Sequence, residues 1–264
     1  MTDDLEHDLA ELGLLEDEEI ILDEAALLLS LADDPDAEID NAVHQLDVLE
    51  MSIRINDGLT GSPAEMAVQL AEAIAERHGI RGDRDNYDNP ANADFSLMLD
   101  RSCGLPVTLS ILYVVLARRF GVEAVPIGLP GHVIVRIGRG ADAVLIDPFS
   151  DGGIIDPGVS LFEDMAIEQG VLSNRAALVR MLTNQASRAS NAGDAARALA
   201  LTKRMTLFAP GFTSVWWERA RLEQRLGERD AARQSLVAMR ETSRDPAVHQ
   251  RIDRALVALA RSAS

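Results

Sequence analysis

Between Arg101 and Phe149 the chain reads RSCGLPVTLSILYVVLARRFGVEAVPIGLPGHVIVRIGRGADAVLIDPF. Nearly every position from Pro106 to Ala117 is apolar or small, so a helix here has no polar face and must be enclosed on most sides. Pro106 suits a first helical position, the helix reaches Phe120, and Gly121 stops it. The run contains Thr108 and Ser110 and ends at Arg118–Arg119, too short for a bilayer span. Three short apolar segments follow directly, at 123–128, 132–138 and 143–149, and GRGAD between the last two marks a hairpin. One enclosed helix feeding a small antiparallel sheet is an α+β plan.

The same stretch carries the residues with chemistry. The chain's single cysteine, Cys103, stands at its head, His132 opens the second strand and Asp147 closes the third. That order fits a nucleophile, its base and the residue that orients the base. It depends on register. If paired residue numbers sum to an odd value, such as 138 with 143, His132 faces residue 149 and Asp147 is its diagonal neighbour on the same face. An even sum would put the two on opposite faces. The first N–H groups of the helix, at Leu105–Thr108, would lower a nearby thiol's pKa and offer an oxyanion hole. Each residue also has a plainer reading: Cys103 as a small turn residue, His132 as a strand-end histidine bonded by Asp147, and Asp147 as a turn-former before Pro148.

Across the 264 residues the net charge is −18, and its distribution is informative. Residues 1–50 hold 18 Asp and Glu and no Lys or Arg, and the remainder balances at 25 of each sign. From Arg175 onward there are 16 basic and 8 acidic residues. An acidic head and a basic tail suggest complementarity within or between molecules, or simply two solvated helical regions. An acidic chain without clustered cations argues against a nucleic-acid binder. One cysteine excludes an internal disulfide framework, and no cysteine pair has zinc spacing. With an acidic start, MTDDLEHDLAELG, in place of a secretory leader and no long apolar run, a soluble, cytoplasmic protein is expected.

In chain order, Leu5, Leu9 and Leu12 mark a short amphipathic segment, and a buried helix follows over about 16–32. Asp33-Asp34-Pro35 stops it. The next helix, about 38–55, aligns Ile39, Val43, Leu46, Leu49 and Ile53. Ser62, Pro63 and Glu65 form a capping-box arrangement for a helix running to about His78. GDRDNYDNPAN, 82–92, reads as a loop without the alternation of a calcium site, and a short helix spans about 93–100. His7, His44, His78 and His249 stand alone, so no metal and no cofactor is expected. After SDGGIIDPG the chain reads as helical to its end. There Gly193 and Gly227 lie 34 residues apart, Ala198 and Ala232 keep that period, and Pro210 falls where the first unit should close. That is the period of a tetratricopeptide array, about two units between Leu178 and Ala260. Trp216–Trp217 then fall in a first helix as packing residues.

Gly104-Leu105-Pro106 entering the helix, LSILYVVLARRFGV, GLPGHVIVRI, and IDPF followed by Asp151-Gly152-Gly153 together resemble the transglutaminase-like family that includes the SirB1 proteins. The resemblance spans roughly residues 15–250. It implies a papain-like core with a central helix on an antiparallel sheet, domain 1–174, and a tetratricopeptide-like tail, 175–264. It also implies that His132 and Asp147 match the superfamily's histidine and aspartate. The superfamily's nucleophile falls near Pro106, about three residues after Cys103, and members of the SirB1-like group commonly lack a cysteine there. Two functions follow. One is thiol-dependent hydrolysis or transfer at an amide by Cys103, His132 and Asp147. The other, preferred, is a non-catalytic binding or regulatory protein whose helical repeats dock a protein partner, with no nucleic acid and no membrane involved.

Overall fold

A computed structural model describes residues 2–155 and 170–261. The α+β plan is observed: helices dominate, around one small antiparallel sheet and ahead of a helical tail. Contacts divide the chain into two compact units, Glu16–Met181 and a second made of Met1–Leu15 with Leu182–Ser264. The first helix, α1 (Thr2–Leu14), therefore belongs with the tail rather than with the residues that follow it. The helical reading after Gly158 falls, as far as residue 169, outside the described residues.

In the first unit the apolar stretch forms α6 (Pro106–Arg119), and every side chain from Pro106 to Ala117 is buried. Around it stand α2 (Leu22–Asp33), α3 (Ile39–Ile55) and α4 (Pro63–Ala71), and α5 (Phe95–Arg101) packs on α2 and α3. The expected helix over 16–32 is instead a 3-10 turn at Asp17–Glu19 and then α2. Asp17 is occupied elsewhere: its carboxylate accepts from the backbone N–H groups of Asn174 and Arg175, at 2.8 and 2.9 Å, capping α7 (Asn174–Asn191) from a distant part of the chain. The capping box at Ser62 forms as its sequence dictates, Glu65 N donating to Ser62 Oγ and Ser62 N to Glu65 Oε2. At the other end of α6, Arg119 reaches Asp23 of α2 at 2.6 Å and Glu50 of α3 at 2.9 Å.

Two strand pairs position the chemistry. β1 (Arg81–Gly82) and β2 (Cys103–Gly104) form a two-residue parallel pair, Arg81 opposite Cys103, too short to leave a sequence signal. The main sheet runs in order β3 (Ala124–Leu129), β4 (His132–Ile137), β5 (Val144–Asp147) and β6 (Gly153–Ile155), all antiparallel. β6 was not anticipated. Ala124, Val133, Val135, Ile137 and Ile146 share one deeply buried face. On the other, Ile127, Leu129, Ile134 and Leu145 make a separate apolar cluster, and that face carries His132 and Asp147.

The second unit holds part of α7, then α8 (Ala195–Phe208), α9 (Thr213–Arg225), α10 (Arg229–Thr242) and α11 (Pro246–Arg261). The 34-residue period is a repeated turn. Gly193 and Gly227 both take positive φ, 86° and 82°. The bonds Asp194 N to Ala189 O and Glu228 N to Glu223 O repeat at that offset, and Ala198 and Ala232 are both buried. Between these helices Glu223 is fully buried, with its charge matched by Arg219 at 2.9 Å and by the Ser235 hydroxyl at 2.6 Å. Trp216 donates to Pro210 O and packs with Trp217 against Ala220, Leu236, Met239 and Ile252. The acidic head meets the tail through apolar packing. Leu9 and Leu12 are buried, α1 lies on α8, and a Cβ at Gly13 would stand 2.4 Å from Leu207 O. Gly13→Ala should therefore force the two backbones apart and cost about 1–3 kcal/mol. Thermal unfolding should register it as a lowered midpoint, and an unchanged midpoint would mean that α1 does not pack on α8 in solution.

Candidate functional site

β4 and β5 pair Val135 with Ile146 and Ile137 with Val144, the odd-sum register. His132 and Asp147 therefore stand as diagonal neighbours on one face, with His132 Nε2 3.0 Å from Asp147 Oδ1. Asp147 Oδ1 also accepts from Phe149 N at 3.0 Å, and Oδ2 from Ser150 Oγ at 2.9 Å. Burial pushes the Asp147 carboxyl up, but the His132 bond, its positive charge when protonated, and the Ser150 and Phe149 donors outweigh this and hold the carboxyl below its ordinary value. The Phe149 ring meets the His132 ring edge-on at 6.2 Å and Tyr87 at 5.7 Å. Phe149 can lie against β1 because position 82 is glycine: a Cβ there would come within 2.5 Å of Phe149 O.

Cys103 lies on β2, outside the main sheet, in a different polar environment. Its hydrogen-bond partner among the described residues is Asp83, Sγ to Oδ2 at 3.9 Å. The same carboxylate takes Asn86 N at 2.8 Å on Oδ1 and Arg101 at 3.4 Å on Oδ2, and Arg101 also donates to Asn92 at 2.6 Å. Burial pushes the Cys103 thiol up, the Arg101 charge opposes this, and the Asp83 carboxylate adds to it; the net shift is upward. The expectation that the helix start lowers this pKa is thus corrected. The N–H of Leu105 is not free but donates to Asn92 O and Thr108 Oγ1, both at 3.0 Å, and the thiol's own hydrogen-bond partner is the Asp83 carboxylate. Thr108 Oγ1 in turn donates to a backbone carbonyl, Asn92 O at 2.9 Å or Leu105 O at 3.0 Å.

The structure therefore brings His132 and Asp147 together and gives Cys103 a separate partner. Asp83, Phe149, Ser150 and Tyr113 were not singled out by sequence reasoning. Asp83 lay in a loop read only as Asp- and Asn-rich, and its approach to Cys103 depends on the two-residue β1–β2 pairing. Tyr113 is fully buried on α6, its hydroxyl without a partner among the described residues, and burial, then the charges of Asp151 and Asp147, push its phenol strongly up. Among the described residues no three His, Cys, Asp or Glu side chains are grouped to hold a metal ion. No helix of the described residues is long and apolar enough to cross a membrane.

Because the folded-state carboxyl of Asp147 is held below its unfolded value, about 3.9, its bonds contribute fully above that pH. The contribution is lost as pH falls through the folded value. His132→Ala removes the leading bond, so the variant should be less stable than the parent by about 1–2 kcal/mol at pH 7. The gap should shrink near pH 3, as measured by urea unfolding at both pH values. A gap that is constant with pH would mean that the His132–Asp147 bond does not stabilise the carboxylate.

The family model of the Transglutaminase-like superfamily matches residues 40–186. A UPF0162 protein of Xylella fastidiosa is 26% identical over 240 residues, 85% of each chain. One from Pseudomonas aeruginosa is 30% identical over 146 residues, 55% of this chain and 53% of that protein. Mouse F-box only protein 21 is 35% identical over 89 residues, 32% of this chain and 14% of that protein. No solved structure matches the chain. A match over more than half of the sequence, covering α6, the sheet and the His132–Asp147 pair, places this chain in the transglutaminase-like superfamily.

Proposed function

We propose that this chain is a non-catalytic transglutaminase-like protein of the SirB1-like group. In this reading it acts in the cytoplasm and binds or regulates a protein partner, neither nucleic acid nor membrane, through a tetratricopeptide-like docking surface on its tail. The observation that carries the proposal is the pairing of Cys103 with Asp83. A thiol beside a carboxylate is held protonated, and a protonated thiol is a poor nucleophile. The first helical turn opens with Pro106, near which the resemblance puts the superfamily's nucleophile. The tail's repeated 34-residue turn, with small residues buried between helices, supports a repeat scaffold of the kind that presents docking surfaces.

One observation favours a second reading. His132 and Asp147 keep the geometry of a base and its orienter. In a thiol enzyme built on them, Cys103 would transfer its proton to His132 and attack an amide carbonyl, forming a thioester. The amine would leave with the proton from His132, and water or a second amine would then cleave the thioester and restore the thiol.

Alkylation of Cys103 by iodoacetamide across pH separates the two. We expect a thiol titrating above the unperturbed value of about 8.5, unchanged in His132→Ala and lowered in Asp83→Asn. A thiol titrating below that value, with the shift lost in His132→Ala, would overturn the non-catalytic reading and support the enzyme.

A further inference from the structure

α1 packs far from its place in the chain. It lies on α8, which begins at Ala195, and forms one compact unit with the tail, the boundary of that unit falling at Leu15. The residues straight after it belong to the other unit. Only Leu15 and Glu16 stand between the last residue of α1 and the 3-10 turn at Asp17. There the backbone N–H groups of Asn174 and Arg175 hold the Asp17 carboxylate.

The seat on α8 is narrow and exacting. Leu5, Leu9 and Leu12 fall at i, i+4 and i+7, the first half-buried and the other two buried, while Asp4, Glu6, Asp8 and Glu11 are exposed. At Gly13 backbone lies on backbone: a Cβ there would stand 2.4 Å from Leu207 O and 3.3 Å from Phe208 Cα. A helix that takes this seat therefore needs leucines at that spacing and a glycine directly after the last. A second copy of this chain meets both demands by identity.

Two further observations favour exchange. α1 has 13 residues, and its buried large side chains are Leu9 and Leu12, so it is marginal as an isolated helix and can leave its seat by local opening. At its link two adjacent leucines lie in water. Leu14 is 84% exposed, the most of any large apolar side chain among the described residues, and Leu15 is 40% exposed. Single apolar side chains at a surface are ordinary. Two together, at the link where the chain would cross to another copy, give that crossing an apolar contact.

We infer that α1 is exchanged between two copies of this chain. Each copy docks its α1 on the α8 of the other, and the two links pass side by side, Leu14 and Leu15 of one against those of its partner. The exchanged contact is the same α1–α8 packing that forms within one chain, so the only new surface is at the links. Because each copy both gives and receives a helix, the assembly closes at two.

Sedimentation velocity of the full chain over a range of concentrations tests this. The expected result is a species of twice the chain mass whose share rises with concentration and falls again on dilution. Leu9→Lys, which empties the seat, should leave single chains at every concentration. Leu14→Glu with Leu15→Glu should lower the dimer share while circular dichroism matches the parent, since both positions are exposed. That pair decides the matter even where Leu9→Lys alters the fold. In a dimer formed from two differently isotope-labelled chains, nuclear Overhauser contacts should connect α1 of one chain with Leu207 and Phe208 of the other. Single chains at every concentration overturn the inference. So does a dimer that survives both variants, or one in which α1 contacts Leu207 and Phe208 only within its own chain, since the association would then lie elsewhere.

Discussion

Enclosing α6 is the constraint on which the first unit depends. A helix with no polar side cannot face water, and each large side chain it buries contributes about 1.5–3 kcal/mol. Its surroundings follow from that need. β3 and β4 lie along it, α2, α3 and α4 pack about it, and its two polar ends are fixed by specific bonds. Arg119 is held by Asp23 and Glu50 at one end, and Leu105 N is held by Asn92 O and Thr108 Oγ1 at the other. Ser110, buried mid-helix, satisfies its hydroxyl on Val133 O at 3.2 Å and so ties α6 to the strand that His132 begins.

That enclosure also accounts for the chemistry of the site. Once Leu105 N–H is spent on closing the helix start, it no longer contributes to the positive potential that activates a thiol at a helix N-terminus. Cys103, two residues earlier, is instead drawn into the polar group of Asp83, Arg101 and Asn92. Meanwhile the β4–β5 register preserves a histidine and an aspartate in the geometry of a base and its orienter. The histidine and aspartate thus stay hydrogen-bonded to each other, while the thiol is set in surroundings that disfavour its ionisation.

Charge is distributed by a different logic. The acidic N-terminal helix joins the basic tail, yet what holds it is Leu9, Leu12 and the bare backbone at Gly13. Apolar contact decides the packing, and the charges remain largely at the surface. Within the tail the converse holds at one point: Glu223 is taken fully inside because Arg219 and Ser235 satisfy both its oxygens.

Much of this was legible in the sequence because it depends on local periodicity. The all-round apolar run from Pro106 fixed an enclosed helix, the Ser62-Pro63-Glu65 spacing fixed a capped helix start, and the 34-residue period of Gly193 and Gly227 fixed a repeated turn. The candidate pair His132 and Asp147 was legible too, but only conditionally, since period-2 alternation cannot choose between two registers. The hairpin made that choice. What only the tertiary structure decided are contacts between segments far apart in the chain that carry no pattern of their own. Asp17 caps a helix that begins at Asn174, α1 joins the tail, and two-residue strands set Asp83 beside Cys103. Sequence periodicity reports what one element presents to its surroundings; it does not say which distant group answers. For Cys103 that answer determines whether the thiol is activated.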